Sequence, residues 1–269
     1  ITDTMQPITV PKEGLVLDEA ESTVVRNGET LIKTTVTESD NAIQKAVSEA
    51  LSKIQENTSS VTIRVASGEY NGDINIGASE TSSYTVPDNF VLYVLADDSY
   101  SEPEAEDGII DKSTVNNTNS KGNAIINGNI LIAHINVIMT GLYLSQGKTI
   151  TVDDAELTYN GTVKDDNVAV DIANSAEADT STVTINTGGG RDFVSLTGSG
   201  KETTDKSTAT VNTGSGDDVL QVHTDVAKTV GTVAYDGGDG NDRLHLTGSL
   251  QKGAKHEVSK DSLTLVTDS

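Results

Sequence analysis

The residues in this 269-residue chain best suited to chemistry are glycines and aspartates gathered in three short stretches. The fullest runs Asp236-Gly237-Gly238-Asp239-Gly240-Asn241-Asp242-Arg243-Leu244-His245, which from Gly237 reads Gly-Gly-x-Gly-x-Asp-x-Leu-x. Thr213-Gly-Ser-Gly216-Asp-Asp218-Val-Leu-Gln221 and Thr187-Gly-Gly-Gly190-Arg-Asp192-Phe-Val-Ser195 are partial copies upstream. Glycine allows a tight path at positive φ and leaves backbone carbonyls bare. The Asp that closes each turn adds a hard anionic oxygen. Calcium takes about six to eight such oxygens, from carbonyls and carboxylates alike, without demanding exact angles. One turn cannot fill that shell, two stacked turns can, and three would leave about two sites between them. The competing reading is of metal-free Gly/Asp turns, which are common between strands. It is strongest for the first copy, where Arg191 enters the turn.

Short strand patterns position each turn. Val183–Ile185, Ala209–Val211 and Val233–Tyr235 lead in, and Phe193–Leu196, Val219–Val222 and Leu244–Leu246 lead out. Asp192, Asp218 and Asp242 recur at intervals of 26 and 24 residues. A strand–turn–strand unit at such a period is the mark of a repeat architecture.

The pattern Gly-Gly-x-Gly-x-Asp-x-U-x resembles the nonapeptide of the RTX, or haemolysin-type, calcium-binding repeats. Gly237–His245 matches it throughout, and the copies at Thr213 and Thr187 match except for Thr at the first position. In that family the Asp side chain and the turn carbonyls hold calcium between stacked turns. The resemblance therefore implies calcium as the cofactor. It implies ligands at Asp192, Asp218 and Asp242, carbonyls of Thr187, Gly190, Thr213, Gly216, Gly237 and Gly240 beside them, and Asp239 in the same turn. Family repeats follow one another every nine residues. The wider interval here implies one turn per larger coil, over about 65 residues from 183 to 250.

Composition bounds the rest. Asp and Glu number 41 against 18 Lys and Arg, a formal net charge of −23. Such a chain repels nucleic acid and anionic membranes and suits divalent cations. It has no cysteine to cross-link it and no apolar run long enough for a membrane helix. It begins at Ile1 with neither an initiator Met nor a signal-peptide pattern, which reads as a mature product or an excised segment. With no Trp, two Phe and seven Tyr, the core must rest on Ile, Val and Leu, and the abundance of these residues and Thr predicts an all-β fold.

Along the chain, residues 1–38 read as short β segments forming a cap or a linker, with two strands around Asn27-Gly28. Residues 39–56 read as an amphipathic helix, capped by Ser39 or Asp40, with Ile43, Ala46, Val47, Ala50, Leu51 and Ile54 on one face and Gln44, Lys45, Ser48, Glu49 and Lys53 on the opposite, solvent face. A strand at Val61–Val65, a Gly68-x-Tyr70 turn and a strand at Ile74–Ile76 follow. Helix, strand, turn and strand in this order resemble the opening of pectate lyase-like right-handed parallel β-helices, in which such a helix caps the open end of the coil. That resemblance implies a single parallel β-solenoid over 39–269. Phe90–Leu95 reads as a buried strand, Glu102–Asp107 as an acidic loop and Ser113–Gly122 as an exposed excursion. Brief strands broken by Gly and Asn then run from 123 to 176, and Ser262–Val266 reads as a last strand.

A β-helix also invites an enzymatic reading, as a polysaccharide lyase or epimerase. The adjacent pairs Asp153-Asp154 and Asp165-Asp166 are the candidate carboxylates. Neighbours on a strand point to opposite faces, so they read as turn or loop residues rather than catalytic dyads. His134, His223, His245 and His256 are scattered, and His134, in an apolar run, reads as a core or coil-face residue. The expectation is therefore a calcium-binding, structural or adhesive module of a secreted or cell-surface bacterial protein. Its partners would be calcium and a protein or glycan on a host or neighbouring cell, with no nucleic acid and no membrane insertion. The polysaccharide lyase or epimerase is the alternative.

Overall fold

The computed structural model describes residues 41–52, 54, 56, 58, 60–65, 67–77, 86, 87, 89–96, 124–176, 179–202 and 206–248 with their side chains. It gives backbone alone for the strands at 8–10, 14–16, 24–26, 29–31, 35–37, 255–259 and 262–266. Five short strands come first: β1 (Ile8–Val10), β2 (Gly14–Val16), β3 (Val24–Arg26), β4 (Glu29–Leu31) and β5 (Thr35–Thr37). Helix α1 (Ala42–Ser52) follows, and the chain then settles into a repeat. Three strands per repeat are laid down by β6 (Ser60–Val65), β7 (Gly68–Tyr70) and β8 (Ile74–Gly77). The same path is taken by β9 (Val91–Ala96), β10 (Ala124–Ile126) and β11 (Ile130–Ala133), and by β12 (Asn136–Thr140), β13 (Leu142–Leu144) and β14 (Ile150–Asp153).

From β15 (Glu156–Asn160) and β16 (Asn167–Asn174) onward there are two strands per repeat. These are β17 (Thr182–Asn186) and β18 (Phe193–Gly200), β19 (Ser207–Asn212) and β20 (Val219–His223), then β21 (Val230–Asp236) and β22 (Arg243–Thr247). A four-residue helix, α2 (Val226–Thr229), precedes β21, and the hairpin β23 (Lys255–Ser259) and β24 (Ser262–Val266) ends the order.

The first strand of every repeat enters one sheet and the last enters another. The larger sheet runs β21-β19-β17-β15-β12-β9-β6 and the second β22-β20-β18-β16-β14-β11-β8, with β13-β10-β7 as a small third. Every pair within these runs is parallel. The fold is thus all-β with parallel sheets and little helix. Gly68–Tyr70, expected as a turn, is a strand because its backbone pairs with Ala124–Ile126.

Parallel pairing stacks like on like. In the larger sheet Val61, Leu92, Val137, Leu157, Val183, Ala209 and Val233 form one buried column. In the second sheet Ile74, Ile130, Ile150, Val170, Leu196 and Val222 form another. Each buried aliphatic side chain contributes roughly 1.5–3 kcal/mol, so the columns offset the scarcity of aromatics. Polar side chains stack too. Asn160 Nδ2 donates to Thr140 Oγ1 (3.1 Å), Asn186 Nδ2 to Asn160 Oδ1 (2.9 Å) and Asn212 Nδ2 to Asn186 Oδ1 (2.8 Å), an asparagine ladder along one corner.

The ends of the stack are dressed differently. Helix α1 is shorter than the predicted 39–56 and buries the expected face: Ala42, Ile43, Ala46, Val47, Ala50 and Leu51. It lies along β8, the edge of the second sheet. Gln44, expected on the solvent face, uses its amide as a strand would: Oε1 accepts the Asn75 N–H and Nε2 donates to the Asn75 carbonyl (3.2 Å). Gln44 thus meets both backbone groups of Asn75 on this edge strand, and the helix covers it, which blocks unwanted pairing. At the other end β24 pairs antiparallel with β21 and stops the parallel run of the larger sheet. Helix α2, not foreseen, fills a gap in the core. A Cβ on Gly198 would lie 2.5 Å from Thr229 Oγ1 and 2.8 Å from Val226 Cα, and Thr229 Oγ1 donates to the Ile172 carbonyl (2.9 Å).

In the N-terminal segment β1 and β4 pair in parallel with β6, and β3 and β4 form the expected hairpin. The Ser39/Asp40 cap, the acidic loop around Pro103 and the excursion at 113–122 lie outside the described residues. Among the described residues no helix is long and apolar enough to cross a membrane.

Leu51→Ala should lower the free energy of unfolding in urea by about 2–5 kcal/mol, since it removes a side chain only 2 % exposed where α1 seals the core. A loss below about 0.5 kcal/mol would show that α1 is not part of the cooperative fold.

Candidate metal centre

Turns 187–192, 213–218 and 237–242 join β17 to β18, β19 to β20 and β21 to β22. The strands on either side fix their alignment. Asn186, Asn212 and Asp236 stand in register before the turns, and Phe193, Val219 and Arg243 after them. The copies therefore stack residue on residue as their sequences align. Gly189, Ser215 and Asp239 form parallel bridges in mid-turn. The Ser215 N–H donates to the Gly188 carbonyl (2.9 Å) and the Asp239 N–H to the Gly214 carbonyl (2.8 Å). The Gly190 N–H donates to the Ser215 carbonyl (3.0 Å) and the Gly216 N–H to the Asp239 carbonyl (2.8 Å).

Glycine is compulsory here for two reasons. Gly190, Gly216 and Gly240 have φ of 126°, 141° and 145°, a region that L side chains avoid. Each also packs on the turn beneath it. A Cβ on Gly216 would lie 1.5 Å from the Gly190 carbonyl oxygen, and one on Gly240 1.6 Å from that of Gly216. The Thr residues that replace the first glycine have a different task. Thr187 Oγ1 donates to the Thr213 carbonyl and Thr213 Oγ1 to the Gly237 carbonyl, both at 3.1 Å.

The aspartates form a column. Asp218 Oδ1 accepts the backbone N–H of Asp192 (2.7 Å), and Asp242 Oδ1 accepts that of Asp218 (3.0 Å). The same bond recurs one repeat earlier, where Asp192 Oδ1 accepts the N–H of Asp166 (2.8 Å). Gly161–Asp166, between β15 and β16, is thus a fourth copy of the turn. Its path agrees with the others in part: the Gly189 N–H reaches the Thr162 carbonyl (3.5 Å) and Gly190 packs on the Lys164–Asp165 peptide, but Thr162 and Lys164 lack the positive φ of the aligned glycines, and the Lys164 N–H turns back to Thr162 Oγ1 (3.1 Å). Asp166 was expected in a turn or solvated loop; it does stand in a turn, but the stack buries it to 2 % exposure. The other pair is also split between environments: Asp153 is buried and accepts from Ser175, while Asp154 is half-buried beside His134 (3.0 Å). His134 lies on the coil face, at a positive-φ corner directly over Asp154.

One oxygen per carboxylate is held in this way, and the other is not. Asp192 is 2 % exposed and Asp218 fully buried, and Oδ2 of each has no hydrogen-bond partner. Asp166 Oδ2 accepts from Thr162 N–H (2.7 Å) and Oγ1 (3.1 Å), but its Oδ1 is buried without a partner. Burial pushes the Asp166 carboxyl up to about 7 and the Asp192 carboxyl up to about 6, from an ordinary 3.8. Burial raises Asp218 as well. In each case the aspartate of the next turn adds to the rise, and the hydrogen bonds to the carboxylate oppose it.

The outer row is unlike this one. Asp165 and Asp217 are exposed, and each accepts one backbone N–H, from Arg191 (2.8 Å) and Asn241 (3.0 Å). Asp239 is exposed on the rim. Among the described residues no three His, Asp or Glu side chains converge on one point. A cation in this column would be held by one or two carboxylates with backbone oxygens completing its shell. Calcium accepts such a donor set, and zinc, which prefers nitrogen and sulfur, does not. In comparisons with family models, curated proteins and solved structures, the chain has no match.

Two outcomes are expected. Gly216→Ala should destabilise the fold by several kcal/mol through its clash with Gly190, whereas Gly147→Ala, at φ 79° with nothing within 4 Å, should cost only about 1–2 kcal/mol of backbone strain. Equal costs would contradict the stacked path. In calcium-stripped protein, Asp166 and Asp192 bind protons more tightly folded than unfolded. Their contribution to stability is complete below 3.8 and is lost as pH rises through about 6 and about 7. The melting temperature should therefore fall between about pH 4 and about pH 7, and Asp166→Asn should flatten that fall. A rise over this range would refute the buried column.

Proposed function

We propose that the parallel sheets are faces of one right-handed parallel β-solenoid, capped by α1, and that its Gly-Asp turns bind calcium in the manner of RTX repeats. The observation that carries this is the pair of buried carboxylate oxygens, Asp192 Oδ2 and Asp218 Oδ2, that no protein donor meets. A buried charge without a partner is strongly unfavourable, and a divalent cation between successive turns supplies the missing charge. Right-handed winding follows from the strong preference of parallel crossovers for that hand.

The biological role follows from linkage. A metal that binds only the folded chain adds to its stability according to free concentration over Kd, and here the metal site and the fold are one object. Such a module stays soft where calcium is scarce and stiffens where it is plentiful, outside the cell. The net charge of −23 acts in the same sense, because bound cations relieve self-repulsion. The chain is accordingly a calcium-stiffened structural or adhesive module of a secreted or cell-surface bacterial protein. With Asp153 and Asp154 in different environments, and Asp165 and Asp166 likewise, neither adjacent pair offers the facing carboxylates that a polysaccharide lyase or epimerase would use.

The test is a thermal melt by circular dichroism in millimolar calcium and in chelator, for wild type and Asp218→Ala/Asp242→Ala. The wild type should melt markedly higher with calcium and the double variant should lose most of that gain. Identical wild-type curves with and without calcium would end the proposal.

A further inference from the structure

The column does not stop where the glycine pattern stops. Gly161–Asp166 has Thr162 and Lys164 where all three later turns have Gly, and Val163 where they have Gly, Ser or Asp, so no repeat pattern marks it. The backbone keeps part of the same course, without the positive φ of the glycines that align with Thr162 and Lys164. The bond from Gly189 N–H to the Thr162 carbonyl repeats those from Ser215 to Gly188 and from Asp239 to Gly214. The approach of Gly190 to Lys164 repeats that of Gly216 to Gly190. The bond from the Asp166 N–H to Asp192 Oδ1 repeats that from Asp192 to Asp218.

We propose a further calcium site between this fourth turn and the first recognised one, with Asp166 Oδ1 and Asp192 Oδ2 as its carboxylate ligands. The two oxygens belong to side chains each 2 % exposed, on adjacent turns, and neither has a hydrogen-bond partner. Asp166 is also the better prepared ligand. Thr162 fixes its Oδ2 from two donors, N–H at 2.7 Å and Oγ1 at 3.1 Å, which leaves Oδ1 as the coordinating atom. Lys164 is exposed and gives the pair no counter-charge from within. The site extends the ion column by one position toward the repeats that carry three strands. There it would brace the junction at which β16 takes over from two shorter strands.

This site rests on the calcium reading of the later turns, and two tyrosines separate the two claims. Tyr159 is buried close enough to Asp166 and Asp192 to feel both charges, and Tyr235 stands in the same relation to Asp242 and Asp218. Terbium, a luminescent stand-in for calcium, is excited by a tyrosine only at short range. The experiment is calcium-competed terbium luminescence, excited through tyrosine, on wild type, Tyr159→Phe, Tyr235→Phe and Asp166→Asn, with bound calcium counted by isothermal titration. Asn keeps an oxygen for the Thr162 donors and loses only the anionic ligand.

Tyr159→Phe and Asp166→Asn should each remove the same part of the emission and leave the part that depends on Tyr235, and Asp166→Asn should bind one fewer calcium ion. Emission lost in Tyr235→Phe but unchanged in the other two variants would overturn the fourth-turn site while leaving the later turns as calcium sites. No calcium-competed emission from the wild type would overturn both. Should Asp166→Asn fail to fold, the wild-type calcium count decides: one ion more than the roughly two that three stacked turns hold supports the fourth-turn site, and no more than about two overturns it.

Discussion

In-register parallel pairing dominates this molecule, because it places each side chain directly over its counterpart one repeat away. Strands lie about 4.8 Å apart, so whatever a repeat buries, its neighbours bury beside it. For Val61, Leu92, Val137 and their column this is cohesive. For asparagine it is also favourable, since a carboxamide both donates and accepts and can bond to a copy of itself. Asn160, Asn186 and Asn212 use that property. For aspartate the same geometry is unfavourable, because an ionised carboxylate only accepts. The column from Asp166 to Asp242 avoids part of the difficulty by taking one backbone N–H from the turn below at each step. The second oxygen of the buried carboxylates Asp166, Asp192 and Asp218 has no hydrogen-bond partner.

The ends of such a stack pose the complementary problem, since unpaired strand edges and the open core face water there. Three different devices close them. Helix α1 brings apolar side chains over the core and Gln44 against the backbone of β8. The hairpin of β23 and β24 reverses direction, so β21 does not continue the parallel run. Helix α2 fills, above Gly198, the place that Ile132, Val152 and Ile172 fill in earlier repeats. All three are departures from the repeat, as a finite piece of a periodic structure requires.

What the sequence reveals follows the same division. The three glycine turns are legible because glycine and aspartate are both compulsory there and recur at a fixed interval. The strands beside them and the apolar face of α1 are legible because burial dictates a period. Asp166 is not, because Thr162 and Lys164 take the places of glycines, and register alone shows the equivalence. The interval of 26 residues from Asp166 to Asp192 was a usable signal, as was the spacing of Asn160, Asn186 and Asn212. Gln44 looked like a solvent residue because periodicity assigns a face and does not say what lies beside the helix. Helix α2 has four residues, too few for any periodic signal, and its place is set by the absence of a side chain at Gly198.

Magnitudes decide what the aspartate column needs. Two full charges about 4.8 Å apart repel by roughly 3 kcal/mol at an effective dielectric of about 20. Desolvating each carboxylate costs several kcal/mol more. A hydrogen bond to a charged group returns only about 1.5–3 kcal/mol, and each ladder aspartate receives one from the turn below. The deficit grows with every turn added, so a fully ionised column cannot be stable by itself. Protons can relieve it, which is why burial lifts Asp166 furthest, to about 7, but a proton cancels one charge and leaves the neighbouring oxygens unbridged. A divalent cation between turns cancels two charges and turns repulsion between repeats into attraction. The register that builds the core therefore also builds the charge deficit at its corner, and in the proposed reading calcium meets a need that the fold itself creates.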